Sequence, residues 1–200
     1  MGVTRKQAEN IASVLSEGMP YIQRFYGKII VVKYGGAAMS DVSLKKGFAR
    51  DIALMKLVGM KPVIVHGGGP QIAKELKKAG VTSDFNSGLR ITDESTMAVV
   101  KKVLGIKVND EISTLISKSG ALSKGLNYKN SEIVRASKLI GEYGLDLGLV
   151  GKVDKINTRD IRNLLSKDII PVISPIGLDK KSQCLNINAD LVAGKVAESL

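Results

Sequence analysis

The sequence has no tryptophan, one histidine and one cysteine, and aromatic residues fill only 4% of its 200 positions. So few rings argue against a single-stranded nucleic-acid platform, where bases stack on aromatic side chains. The lone Cys184 excludes an intrachain disulfide and points to a reducing compartment. No apolar run reaches the roughly 18 residues of a membrane span. The opening stretch MGVTRKQAENIASVLSEGMP lacks the apolar core of a secretory signal. The expected location is the cytoplasm, or the plastid stroma if a transit peptide preceded this sequence.

Long basic tracts are missing too, although 30 Lys and Arg against 19 Asp and Glu give a net charge of +11. That sign admits nucleic acid, anionic lipid or small anions as partners. The basic residues, however, stand singly or in pairs such as Lys45-Lys46 and Lys77-Lys78. They read as solvated helix faces, so neither nucleic acid nor membrane is expected as a partner.

What is present is an ordinary globular composition, 44% hydrophobic, on a chain long enough for one substantial domain. Ala8, Ile11, Ala12 and Leu15 fall at helical spacing behind Thr4 as N-cap, and Gly18–Pro20 interrupts before YIQRFYG. Residues 1–27 therefore read as a kinked helix ahead of the first strand. KIIVVK (28–33) and KPVIVH (61–66) read as buried strands, and Asp41–Val58 and Gly69–Ala79 as helices. Strand, glycine turn and helix, twice over, predict an α/β fold with a parallel sheet. Both glycine turns would lie on the sheet edge where ligands bind in such folds.

Further on, SDFNSGLRITDE reads as a loop or hairpin. A long helical region follows from Glu94 to Ser119, broken near Gly105. ALSKGLN and SEIVRASK read as two strands with a turn between, and GLDLGLVGKVDKIN as a glycine-rich approach to another. Thr158–Ser166 is predicted helical, DIIPVISPIG a buried strand leading to a turn, CLNINAD a short strand ending at Asn188, and Asp190–Leu200 a helix.

The stretch VIVHGGGP frames the functional question. Glycines between a strand and a helix leave free backbone N–H groups at the helix N-terminus, where an anion is favoured and no Cβ obstructs it. Pro70 suits the first turn of that helix. A tight strand–helix crossing would also demand small residues, so one turn alone is ambiguous. Two such turns, KYGG and HGGG, favour an oxyanion or phosphate site. Lys33 strengthens this, because an ammonium at the end of a buried strand is costly without an anion to meet. His66 reads as a structural strand-end residue and Cys184 as small, buried and inert.

KYGGAAM, VIVHGGGP, SGLRITD, LGLVGKV, IPVISPIG and NINADLVAG stand in the order and spacing of the N-acetylglutamate kinases of the amino acid kinase superfamily. The resemblance runs from about Thr4 to Leu200. It implies a three-layer αβα sandwich with a mainly parallel open sheet. It also implies phosphorylation of the side-chain carboxylate of N-acetyl-L-glutamate by ATP, in arginine biosynthesis, with Mg²⁺ carried by the nucleotide. By the same resemblance Lys33 and Asp190 are catalytic. Lys33 would stabilise the transferring phosphoryl and Asp190 would position catalytic lysines. Gly35 and Gly36 face the nucleotide phosphates. Gly68, Gly69, Arg90, Asn186 and Asn188 bind substrate, with Arg90 on the α-carboxylate. Asp190 also reads as a plain N-cap of the last helix. The opening helix, with GMPYIQRFYGK, resembles that of arginine-inhibited hexameric members. It implies an arginine effector and a homodimer or hexamer, with Ile11, Leu15 and Tyr21 packing between subunits.

Two departures stand beside the match. Chains of the family continue past NINAD into a part carrying most of the ATP pocket. Residues 28–200 would thus form the substrate-binding, dimer-forming half, with the nucleotide-binding part missing. A non-catalytic binding or assembly module is the alternative. The family's GLSGKDG-like turn is also replaced by the bulkier GLNYKNSE, Gly125 to Glu132.

Overall fold

A computed structural model describes residues 2–141 and 144–200. The chain forms an open four-stranded sheet from β1 (Ile29–Tyr34), β2 (Lys61–His66), β5 (Ser123–Leu126) and β8 (Ile170–Ile173), in the order β1-β2-β8-β5. All three pairings in it are parallel, and Val31 lies opposite Val63.

Alternation along β2 sets the layers. Ile64 faces one way, into a core with Ile52 of α2 (Val42–Leu57), Ile72 and Leu76 of α3 (Gly69–Lys78), and Met97 and Val100 of α4 (Glu94–Lys102). Ile112 and Ile116 of α5 (Asn109–Lys118) complete that face. Val63 and Val65 face the other way, against Ile161, Leu164 and Leu165 of α6 (Arg159–Ser166) and Val192 and Val196 of α7 (Ala189–Ser199). The period-2 pattern thus buries a β-branched stripe on each face, and the three-layer sandwich follows.

A second sheet was not legible beforehand. β6 (Val134–Ile140), β7 (Asp146–Ile156), β9 (Ile176–Leu178) and β10 (Cys184–Asn186) close on one another in the order β10-β7-β6-β9. ALSKGLN and SEIVRASK do contain strands, but β5 and β6 belong to different sheets. The approach GLDLGLVGKVDKIN is itself strand from Asp146 onward, and DIIPVISPIG holds two strands. β3 (Phe85–Asn86) and β4 (Leu89–Arg90) make a minimal antiparallel hairpin.

The helical region after Asp93 is broken as expected, and the break is a π-helical segment, Val103–Val108, between α4 and α5. The opening helix differs from expectation. α1 (Arg5–Phe25) runs unbroken through Gly18–Pro20, closed by a capping box between Thr4 and Gln7. Pro20 has no N–H to offer the Ser16 carbonyl and its ring crowds that group, but on an exposed helix the carbonyl can tilt outward and be solvated by water. No residue of α1 is buried. The end of α1 is tethered by Gly27 N–H donating to the Gly59 carbonyl at 2.8 Å.

Candidate active site

The two glycine turns meet. Gly67 N–H donates to the Tyr34 carbonyl at 2.7 Å, so the chain leaving β2 is tied to the chain leaving β1. After β1 a short 3₁₀ turn, Gly36–Met39, precedes α2, whose N-terminus is already capped by the Asp41 carboxylate bonding Leu44 N–H. α3 differs, because its N-cap, Gly68, offers no side-chain cap. The first turn of α3 therefore has no side-chain partner of its own for its N–H groups.

These turns line a cavity of about 320 Å³ at the C-terminal ends of the parallel strands. Lys33, Gly35 and Gly36 enter it from β1, and Gly68 and Gly69 from the start of α3. Arg90 enters from β4, and Asn186, Asn188 and Asp190 from the β10–α7 junction. The nine residues singled out in the sequence therefore surround one space.

Charge within it is organised. Lys33 Nζ lies 3.2 Å from Asp190 Oδ1, so the lysine meets a carboxylate of the chain itself. Lys33 is the penultimate residue of β1, not the last, and its side chain folds over Gly35. A Cβ on Gly35 would sit 3.1 Å from both Cε and Nζ of Lys33. Arg90 is held over the Phe85 ring, 4.4 Å from its centroid, and donates to Ser83 Oγ at 3.2 Å. Partial burial pulls its guanidinium below the usual arginine value. Asn186 Nδ2 donates to Thr92 Oγ1 at 3.1 Å, and Thr92 in turn donates to the Arg90 carbonyl at 2.7 Å. Thr92 is fully buried and couples the two polar walls.

The N-cap of α7 is Asn188, whose Oδ1 accepts from Asp190 N–H at 2.7 Å. The plain N-cap reading of Asp190 is thereby corrected. β10 also ends at Asn186 rather than Asn188. Asp190 sits one residue into the helix, which leaves its carboxylate free to reach Lys33.

The profile of the amino acid kinase family matches residues 28–200. The acetylglutamate kinase of Hydrogenovibrio crunogenus is 53% identical over all of this chain, which covers 70% of that protein. The chain belongs to the acetylglutamate kinases of the amino acid kinase family. The acetylglutamate kinase of Nitrosococcus oceani is 50% identical, again over all of this chain and 70% of that protein. Among solved structures, smu.665 from Streptococcus mutans UA159 is 33% identical with a TM-score of 0.76, covering 86% of this chain and 68% of that one. N-acetylglutamate synthase from Neisseria gonorrhoeae, solved with coenzyme A and N-acetyl-glutamate, shares the fold at a TM-score of 0.82 and 24% identity. It covers 94% of this chain and 43% of its own.

For a member of this kinase family the cavity has suitable chemistry: two cations, two glycine turns and a single carboxylate already paired. Among the described residues no group of three or more His, Cys, Asp or Glu could hold a metal ion. A Mg²⁺ that arrives on a nucleotide needs no such group, being held mostly by phosphate oxygens and water. Sequence reasoning missed Phe85 and Thr92. A lone phenylalanine carries no pattern until the hairpin brings it beside Arg90, and Thr92, although inside SGLRITD, shows its role only in the bonds that join Asn186 to the Arg90 carbonyl.

The bulky departure at Gly125–Glu132 lies elsewhere. Tyr128 to Glu132 line a separate cavity of about 630 Å³, and the Tyr128 ring occupies the space that a side chain on Gly105 would need. Cys184 borders the same cavity, and burial pushes its thiol up, which keeps it protonated and inert.

Proposed function

We propose that the cavity binds N-acetyl-L-glutamate and the phosphoryl end of ATP, and that the γ-phosphoryl passes to the side-chain carboxylate. The carrying observation is that Lys33 and Arg90, both cationic, line one cavity together with two glycine turns. Arg90 holds the α-carboxylate through two parallel bonds, a geometry that stacking on Phe85 pre-sets. Asn186, oriented by Thr92, and Asn188 contact the rest of the amino acid. Gly68 and Gly69 offer N–H donors to its reacting end, and Gly35 and Gly36 to the nucleotide phosphates.

The attacking carboxylate is already ionised, so no general base is required. His66 does not line the cavity. What the transition state needs is positive charge on the oxygens of the transferring group, and Lys33, aimed by Asp190, provides it. Bound Mg²⁺ would neutralise phosphate charge.

Residues 1–27 form the assembly element in this reading. α1 leaves Ile11, Leu15 and Tyr21 exposed, which suits packing against a second copy in a homodimer or hexamer. Arginine acts as effector through this helix. Cytoplasmic placement belongs to the same reading; among the described residues no helix is long and apolar enough to cross a membrane.

Calorimetry with N-acetyl-L-glutamate tests the reading. Binding is expected in the wild type and lost in Arg90→Ala, with no recovery in Arg90→Lys. A wild-type chain that binds none would overturn it.

A further inference from the structure

His66 is completely buried at the end of β2, beneath the glycine turn, and the catalytic reading leaves it without a task. We infer that His66 is a positioning residue: with Asn109 it fixes the Gly67–Gly68 peptide so that the Gly68 N–H faces the cavity as a donor to a carboxylate or phosphoryl oxygen. The inference rests on the reading of the cavity given above.

Hydrogen-bond chemistry settles the ring's tautomer. Asn109 Nδ2 donates to the Val172 carbonyl at 2.9 Å, and a carbonyl can only accept. The same Nδ2 lies 3.1 Å from His66 Nε2, so its second hydrogen points at that nitrogen. The other side of the amide agrees, since Asn109 Oδ1 accepts from Asn127 Nδ2 at 3.4 Å. Nε2 is therefore the bare, accepting nitrogen. Burial drives the ring's pKa down to about 4, which keeps it neutral with one proton. That proton sits on Nδ1, 2.8 Å from the Gly67 carbonyl, again an acceptor only.

The consequence is directional. In a trans peptide the N–H points opposite to the C=O. With the Gly67 carbonyl drawn to the buried ring, the Gly68 N–H points away from it, toward the side where Gly67 and Gly68 line the cavity. Among the described residues no backbone carbonyl accepts from it. A Gly–Gly peptide is also the easiest kind to flip, because neither residue carries a Cβ to oppose it. The two flanking positions are pinned, Gly67 N–H by the Tyr34 carbonyl and Gly68 by Leu104, whose Cδ2 fills the place a Cβ would take. Rotation of the plane between them is the freedom that remains, and the His66 bond removes it.

His66 is the only histidine, so its ring nitrogens need no assignment in a ¹⁵N-resolved imidazole spectrum of the ligand-free chain. The neutral Nδ1–H form is expected at pH 7, and an Nε2–H form would overturn the inference. Two variants then separate positioning from packing. His66→Asn places an amide N–H where Nδ1 was. His66→Gln matches Nε2 and loses the Nδ1 donor. Affinity for N-acetyl-L-glutamate should stay within about threefold in the first and fall about tenfold or more in the second. Equal losses in both, or losses that track thermal stability alone, would leave His66 merely structural and refute the proposal. If the wild type binds no N-acetyl-L-glutamate, the reading of the cavity fails instead. The tautomer and the Gly68 amide resonance, which should move in His66→Gln and not in His66→Asn, then decide the His66 inference without a ligand.

Discussion

Lys33 and Asp190 stand 3.2 Å apart and join the end of the first strand to the first turn of the last helix. Their side chains are 37% and 66% exposed, so the pair contributes little to stability, about 0–1 kcal/mol. Its value is geometric: the carboxylate decides where the ammonium waits.

Asp190→Asn should therefore leave folding almost untouched and damage chemistry. The expected result is a turnover about 100-fold lower, N-acetyl-L-glutamate affinity unchanged, and a urea midpoint close to wild type. A large loss of stability with turnover preserved would assign the pair to the fold.

The glycines should divide into two kinds. Gly68→Ala drives a Cβ into Leu104 and should destabilise by about 1–3 kcal/mol in urea titrations. A Cβ on Gly69 would meet nothing within 4 Å, so Gly69→Ala should fold normally and weaken substrate binding by narrowing the cavity. Gly35→Ala should displace the Lys33 head, which lies 3.1 Å from the added carbon, and lower turnover at near-normal stability. Uniform destabilisation across the three would show that packing alone demands glycine here.

His66 gives a pH signature. Its folded value lies near 4, below the ordinary 6.5, because burial disfavours the charged ring. Between those values the unfolded chain binds more protons than the folded one. Stability should therefore fall as pH drops from about 6.5 to about 4, by an amount on the order of 3 kcal/mol, and show no contribution from His66 above that window. His66→Asn cannot titrate. The difference in urea stability between it and the wild type, followed across the window, isolates the histidine from the carboxylates. A constant difference would mean that the ring is not held neutral.

If α1 packs between copies through Ile11, Leu15 and Tyr21 as proposed, removal of the residues before Lys28 should reduce the assembled mass measured by light scattering and leave the fold intact, because α1 contributes nothing to the core. An unchanged mass would reduce α1 to an exposed arm.

The first half of the fold was readable because local and tertiary signals agree there. Strands β1 and β2 are β-branched runs ended by glycine, and Asp41 and Asp93 cap the helices they precede. The closed sheet was not readable. β9 and β10 are three residues each, too short to show a period, and β6 and β9 meet only through distant pairing. The site followed the same rule. Its nine residues lie in motifs, whereas Phe85 and Asn109 lie in none, and Thr92, although inside SGLRITD, acts through hydrogen bonds that only the folded chain creates. Pro20 misled because proline is tolerated here inside an exposed helix, where water can take up the carbonyl that loses its helical partner.

The π-helical segment at Val103–Val108 carries a last consequence. Asn109 is the first residue after it and must point at His66, while Ile112 and Ile116 must point at the sheet. Deleting one residue from the segment would rotate everything after it by about 100° around the helix axis. Asn109 would swing off the ring and both isoleucines off the core at once. The segment acts as a collar that sets the phase between two lengths of helix. The number of residues in it is thus a constraint separate from their identity: apolar exchanges inside it can be absorbed by repacking, and a change in its length cannot.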